Sequence, residues 1–269
     1  MLVNGTPAQT ISATDRGFAY GDGVFRTLRA VDGHPLHWTR HYAKLHEDCN
    51  KLALPCPAES LLLAETRIVA DAHAQAVVKI VVTRGEGLRG YAPPLSPAPL
   101  RLVMSTPYTP QPAGEGIAVH LCRLRLARQP ALAGVKHLNR LENVLARSEW
   151  RDPAVREGLM QDTDGNAICG TMSNLFIVEK SALITPDLSN CGVAGMTRDR
   201  VITWALGSGI DCTVENLPLQ RVLDATEVFL VNSLIGIWRV QTLGTSIWPK
   251  AWIADRIRHD LQVEDDALP

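Results

Sequence analysis

Trp38, His41, Leu45, Cys49 and Leu52 recur at intervals of three and four, a period that predicts a helix from about His37 to Leu52. A second helix is expected from about Ala58 to Ala74. The short β-branched run Val77-Val78-Lys79-Ile80-Val81-Val82 predicts a buried strand, and Leu100–Tyr108 reads as another. Near the start, Asn4-Gly5 within Met1–Thr10 is a turn pair that favours a hairpin. Further along, Ile117–Leu126 is expected as a strand. Asn139–Trp150 is expected as a helix, with Asn139 as its N-cap and Leu141, Val144, Leu145 and Ser148 on one face. A strand–turn–strand is expected around Asp164-Gly165 and a helix from Thr197. Strands near Thr213–Leu217, Glu227–Asn232 and Ile237–Thr242 then lead to a last helix from about Ala251 to Leu261.

The stretch Thr106-Pro107-Tyr108-Thr109-Pro110-Gln111-Pro112-Ala113-Gly114 is stiffened by three prolines and has no apolar period. It divides the chain into a first domain over 1–107, a linker over 108–114 and a second domain over 115–269. Strands and helices mix without regular β–α–β alternation, so two α+β domains are expected rather than a doubly wound sheet.

Lysine plus arginine (27) nearly balances aspartate plus glutamate (28), so no global positive field exists to gather nucleic acid or an anionic membrane. Aromatic residues are only 5%, too few for base-stacking platforms. No apolar run approaches the ~18–20 residues that span a bilayer. The opening Met-Leu-Val-Asn-Gly-Thr-Pro has neither a basic start nor a long apolar centre. The closest pair of the six cysteines is seven positions apart, wider than the spacing of a zinc-binding cysteine pair. No metal site is therefore expected, and the cysteines read as reduced thiols of a cytoplasmic protein.

Gly85-Glu86-Gly87-Leu88-Arg89-Gly90 has the spacing of a dinucleotide fingerprint and follows a strand. The fingerprint also needs a helix directly after it. The proline-rich Tyr91–Pro99 cannot supply one. The glycines are better read as shaping a tight loop that presents Arg89 and Tyr91.

The segment Lys136-His137-Leu138-Asn139-Arg140-Leu141-Glu142 changes the picture. Other blocks accompany it in order: Asp15-Arg16-Gly17 with Tyr20-Gly21-Asp22-Gly23-Val24-Phe25, Arg84-Gly85 through Tyr91, Ser173-Asn174-Leu175-Phe176, Gly195-Met196-Thr197-Arg198 and Asn232-Ser233. Together they resemble the fold-type IV pyridoxal phosphate enzymes, the class IV aminotransferase family, across roughly residues 3 to 240. The resemblance implies a two-domain, D-amino acid aminotransferase-like α+β fold. It also implies pyridoxal 5'-phosphate as cofactor and a homodimer.

Within that family the lysine segment is most similar to the lyases that convert 4-amino-4-deoxychorismate to 4-aminobenzoate and pyruvate. The implied substrate carries two carboxylates. The alternatives are a D-amino acid or branched-chain aminotransferase of the same fold, or a non-catalytic relative.

Carried over residue by residue, Lys136 matches the lysine whose amine condenses with the cofactor aldehyde and then serves as base. Read alone, it is a solvated charge between a glycine and a helix. Gly195-Met196-Thr197 precedes a helix, so its amides, that of Met196 among them, and the Thr197 hydroxyl can face a phosphate; read alone, Thr197 is an N-cap. Ser233 falls where relatives offer the phosphate a second hydroxyl. Lys44 falls where relatives usually carry arginine, and lysine keeps the charge without the planar two-point grip.

Cys169 falls where relatives carry the glutamate that pairs with the pyridine nitrogen, and no other carboxylate lies between Asp164 and Glu179. A thiol would stay neutral there and leave the ring a weaker electron sink, which disfavours amino transfer more than elimination; read alone, Cys169 is a small buried apolar residue. Arg89 is expected to meet a substrate carboxylate. Tyr91 is expected to shape the ring pocket, and Thr27 falls where relatives have a residue near that pocket.

Overall fold

The computed structural model describes residues 1–110, 116–250 and 252–267. By its internal contacts the chain forms two units, the first of residues 1–110 with 135–139 and the second of 116–134 with 140–267. Of the expected linker, residues 111–114 lie outside the described residues, as does Ala251 at the expected start of the last helix. The lysine segment Val135–Asn139 follows that linker in sequence but packs with the first unit.

In the first unit, β1 (Leu2–Val3) and β2 (Thr6–Pro7) form the expected hairpin, with Asn4 and Gly5 at φ 49° and 83°. Then follow α1 (Arg16–Tyr20), β3 (Gly23–Val31), β4 (His34–Pro35), α2 (Trp38–Lys51), α3 (Glu59–Ala70), β5 (Gln75–Thr83) and β6 (Leu100–Pro107). The sheet order is β2-β1-β6-β5-β3-β4. Val24, Leu28 and Ala30 of β3 and Ala76, Val78, Ile80 and Val82 of β5 alternate inward. They pack on Leu45 and Cys49 of α2 and Leu62 and Val69 of α3. The periodicity did not predict β3, because its inward row also contains Arg26, which is buried.

β4 pairs only with Ala30 and Val31, which leaves the other half of that β3 edge open. The lysine segment takes it. Val24 bridges His137, the Phe25 N–H donates to the Lys136 carbonyl at 2.9 Å, and the Leu138 N–H donates to the Gly23 carbonyl at 3.0 Å. Gly23 is required here: a Cβ would stand 2.5 Å from the Val82 carbonyl oxygen and 2.9 Å from Leu138.

The second unit contains β7 (Ile117–Leu126), α4 (Leu141–Arg147), β8 (Val155–Asp162), β9 (Ala167–Gly170), β10 (Asn174–Glu179), β11 (Ala182–Pro186) and α5 (Met196–Gly207). It continues with β12 (Cys212–Glu215), α6 (Leu219–Asp224), β13 (Glu227–Asn232), β14 (Gly236–Leu243), β15 (Ser246–Ile247) and α7 (Trp252–Asp266). Its strands run β12-β11-β10-β13-β14-β7-β8-β9, and β9 also pairs with β10, closing a ring through β13, β14, β7 and β8. Strand β10 is buried on both faces, so it reads as a continuous apolar run. Leu175 and Ile177 join one core, while Phe176 and Val178 join another under α5 and α7.

Two details of the expected helix over 139–150 are corrected. It starts at Leu141 with Arg140 in the cap position, and Asn139 is no cap: its side-chain amide donates to the Gly21 carbonyl at 3.1 Å. Leu141, Val144 and Leu145 share a face, but that face is exposed.

Candidate active site

In the first unit Lys136 is held from three sides. Its carbonyl accepts from Phe25, its N–H donates to Asp48 Oδ2 at 3.2 Å, and its Nζ lies 4.5 Å from the centre of the Phe25 ring. An amine over an aromatic face is drawn to the negative face of the ring, which gives it a preferred direction. Lys79 Nζ stands 5.2 Å from the same ring. Thr27, two residues along β3 and opposite Lys79 in register, shares the face of Phe25.

Lys44 lies on α2, its Nζ 3.1 Å from Glu47 and its carbonyl accepting from Arg26. Arg26 and Asp48 were not singled out from the sequence, yet their buried pair, at 2.5 Å, touches the backbone of both candidate lysines.

No helix follows the glycine-rich loop, in keeping with its reading as a loop. Buried Arg16 donates to the carbonyls of Gly90, Tyr91 and Ala92 at 3.1, 2.9 and 3.3 Å, and Asp22 joins Arg16 to Arg84. Arg84 in turn donates to the carbonyls of Leu52 and Ala53. The backbone is thus pinned while the side chains it presents are not. Arg89 is exposed and Tyr91 is 84% exposed, its ring edge-on to Tyr20 at 5.4 Å.

In the second unit Thr197 and Ser233 come together, their hydroxyl oxygens 3.5 Å apart at the N-terminal end of α5. The helix opens from Gly195, which places no side chain over the first-turn amides, and Met196 and Thr197 are buried there. Free amides, two hydroxyls and the positive end of a helix of this length are what a phosphate group needs.

Two asparagines build this end. Asn174 accepts from the Gly195 N–H and donates to the Val193 carbonyl; a Cβ on Gly195 would stand 2.2 Å from the Asn174 oxygen. Asn232 accepts from the N–H groups of Leu234 and Ile235, a side-chain turn that presents Ser233, and donates to the Met172 carbonyl.

Cys169 sits opposite Asn174 in register. It lies in an apolar cluster with Cys122, Trp150, Met160, Ile168 and Cys191. Burial pushes its thiol far up, with Cys191 and Glu157 adding to that and Arg140 opposing it. The thiol is therefore neutral at pH 7.

A carboxylate does lie nearby, outside the stretch that counting back from Asn174 covers. Glu157 on β8 is fully buried and accepts from the N–H groups of Gly158, Thr171 and Met172 and from the hydroxyls of Thr171 and Ser173. Its acceptor capacity is spent on the turn after Gly170, so it is committed to structure. The only sequence signal for it is one acid beside the apolar run Gly158-Leu159-Met160.

Among the described residues no group of three or more His, Cys, Asp or Glu side chains is placed to hold a metal ion. The first unit thus carries an amine set against an aromatic face, and the second, taken by itself, carries a helix end with two hydroxyls suited to a phosphate.

Comparison with known proteins agrees. The model of the amino-transferase class IV family matches residues 23–243. An aminodeoxychorismate lyase of Vibrio harveyi is 33% identical over 87% of this chain and 88% of its own length. A Methanocaldococcus jannaschii protein provisionally named a branched-chain-amino-acid aminotransferase is 32% identical over 83% and 79%. Among solved structures, 4-amino-4-deoxychorismate lyase from Pseudomonas aeruginosa superposes with a TM-score of 0.95 at 42% identity, covering 98% of this chain and 99% of that one.

Proposed function

Because the chain belongs to the class IV aminotransferase family, we propose that it is a pyridoxal 5'-phosphate-dependent lyase that converts 4-amino-4-deoxychorismate to 4-aminobenzoate and pyruvate. The observation that carries this reading is the setting of Lys136, whose backbone is anchored by Phe25 and Asp48 while its amine rests on an aromatic face. Identity to aminodeoxychorismate lyases over nearly the whole chain supports the choice of reaction.

Lys136 would hold the cofactor's aldehyde. Lys44, the first-turn amides of Met196 and Thr197, and the hydroxyls of Thr197 and Ser233 would hold its phosphate. Cys169 would stand toward the ring nitrogen as a neutral thiol. When bound, the cofactor supplies an aldehyde carbon for amine exchange and a ring that accepts electron density. The chain's own part is positional and acid–base. Lys136 is the base for the proton on the substrate's amine-bearing carbon, with the Phe25 ring fixing the direction of its Nζ. Loss of that proton and breakage of the ring carbon–oxygen bond leave an aromatic ring and enolpyruvate, which becomes pyruvate by taking up one proton at its methylene carbon. Arg89 grips a substrate carboxylate by paired hydrogen bonds, and Tyr91 and Thr27 bound the ring pocket.

The exposed position of Arg89 and Tyr91 supports a pair of chains. Phe18, Leu88, Tyr91 and Leu95 on the first unit, and Leu141, Val144 and Leu145 on the second, are apolar and exposed. Such surface suits a second copy of the chain. Six free cysteines support a cytoplasmic setting; no helix is long and apolar enough to cross a membrane, among the residues described.

The test is release of 4-aminobenzoate from 4-amino-4-deoxychorismate. Lys136→Ala is expected to reduce it to the uncatalysed rate, and release at the wild-type rate would overturn the assignment. Incubation with D-alanine or a branched-chain amino acid and 2-oxoglutarate tests the alternative, which the archaeal relative favours. Sustained glutamate formation faster than 4-aminobenzoate release would select the aminotransferase.

A further inference from the structure

The Arg26–Asp48 pair is an unusual feature of the first unit's core. Arg26 stands in the inward row of β3, between Val24 and Leu28, where the other side chains are apolar. Asp48 lies on α2 directly before Cys49, which is fully buried in the same core. Both charges are buried, at 3% and 5% exposure, and they meet at 2.5 Å. A buried ion pair is weak evidence of stability, because desolvation offsets its attraction and an apolar pair of similar volume often does as well. Its retention calls for another explanation, and its remaining hydrogen bonds point to one.

One nitrogen of Arg26, Nη2, donates both to Asp48 Oδ2 and to the Lys44 carbonyl, at 2.8 Å for the latter. The same Asp48 oxygen accepts the Lys136 N–H at 3.2 Å. A chain of three hydrogen bonds therefore runs from the backbone of Lys44 through Arg26 and Asp48 to the backbone of Lys136. These two lysines are 92 positions apart in sequence, and no strand pairing joins α2 to the lysine segment. The carbonyl of Lys136 is held by β3; its N–H, on the other side of the residue, is held by Asp48.

We infer that Arg26 and Asp48 are positioning residues that set the backbones of Lys136 and Lys44 relative to one another. The inference rests on the reading of those lysines as cofactor-binding, and extends it to the two residues that hydrogen-bond their backbones. An apolar pair could fill the same volume but could not donate to Lys44 or accept from Lys136.

That difference separates positioning from plain packing. The variants are Arg26→Met/Asp48→Leu together, and Asp48→Asn, which keeps an oxygen that can accept the Lys136 N–H. Three readouts are used on the full chain: unfolding by denaturant, hydrogen exchange of the residue-136 amide, and titration of the apo-protein with pyridoxal 5'-phosphate. The double variant is expected to unfold at a denaturant midpoint close to the wild type. Its residue-136 amide should nevertheless exchange at least about tenfold faster through local opening, and its cofactor affinity should fall by about tenfold or more. Asp48→Asn should retain amide protection within about threefold of wild type. It carries the test if the double variant does not fold, since loss of protection at residue 136 in a folded Asp48→Asn protein would contradict the role of the oxygen.

A stable double variant with wild-type amide protection and wild-type cofactor affinity would overturn the inference. Lys136→Ala keeps the two failures apart. Its residue-136 amide still reports on the brace, whereas unchanged cofactor binding in that variant would count against the lysine assignment itself.

Discussion

Cys169 and Asn174 are paired in register where β9 meets β10, the seam that closes the strand ring of the second unit. Asn174 then reaches beyond the seam to the backbone of Val193 and Gly195, just ahead of α5. One asparagine thus links the strand that carries the thiol to the helix end that carries Met196 and Thr197. Asn174→Ala would leave the Val193 carbonyl and the Gly195 N–H without this partner. An unsatisfied buried group costs about 1–3 kcal/mol; both groups are half-buried, so a loss of about 1 kcal/mol is expected. It should appear as a lower denaturant midpoint at unchanged slope.

Replacing Cys169 by glutamate introduces a charge into an apolar cluster. Without cofactor the folded protein should be less stable, and the new carboxyl should titrate well above its ordinary range; a protonated ring nitrogen opposite it would favour its charged form again. A carboxylate beside the cofactor's ring nitrogen would strengthen the ring as an electron acceptor. Amino transfer should then rise relative to 4-aminobenzoate release by at least about tenfold, the effect of ~1.4 kcal/mol on a barrier. Assays of glutamate and 4-aminobenzoate on the same sample read the ratio. An unchanged ratio would show that residue 169 does not tune the reaction.

In the proposed phosphate site Thr197 and Ser233 should make separable contributions. Thr197→Val and Ser233→Ala each remove one hydroxyl while leaving the helix amides in place. A hydrogen bond to a charged group is worth about 1.5–3 kcal/mol, so each change is expected to weaken pyridoxal 5'-phosphate binding by roughly ten- to a hundredfold. Fluorescence titration of the apo-protein measures this. Unfolding midpoints without cofactor should move little, because the two hydroxyls are 3.5 Å apart and hold each other only weakly.

The Arg16–Asp22–Arg84 bracket carries a pH dependence. Burial pushes the Asp22 carboxyl up, but hydrogen bonds and charge from Arg84 and Arg16 outweigh it and hold the group below its ordinary 3.8. The folded protein then binds this proton less well than the unfolded chain. The bracket's stabilisation is complete above the ordinary value and is lost as pH falls through the lowered one. Asp22→Asn should therefore be less stable than wild type at pH 7, with the gap closing below pH 3.8. Denaturant midpoints of both proteins across pH 2–7 check the sign. The same variant should release the carbonyls of Leu52 and Ala53 and those of Gly90–Ala92, and so increase proteolysis of the glycine-rich loop.

Much of the architecture was legible because local pattern and tertiary outcome agree. The α2 period, the Asn4-Gly5 turn and the apolar runs of β5, β7 and β13 each need only neighbours in sequence to be recognised. The candidate residues Lys136, Thr197 and Ser233 stand out in the sequence through motif blocks, since the proposed phosphate and aldehyde would constrain their types and order. Strand β3 was not legible, because Arg26 interrupts its inward apolar row. The N-cap reading of Asn139 failed because a distant carbonyl, at Gly21, competes for its side chain.

By itself, then, the sequence determined two α+β units, the family and the residues with suitable chemistry, all of which depend on spacing along one chain. Only the tertiary structure decided how those residues are held. It joins the lysine segment to β3, ties the backbones of Lys44 and Lys136 through one buried ion pair, and commits Glu157 to a turn instead of the site. The physical reason is that a buried polar group must find its partner wherever the fold brings one, and that partner has no fixed distance in sequence.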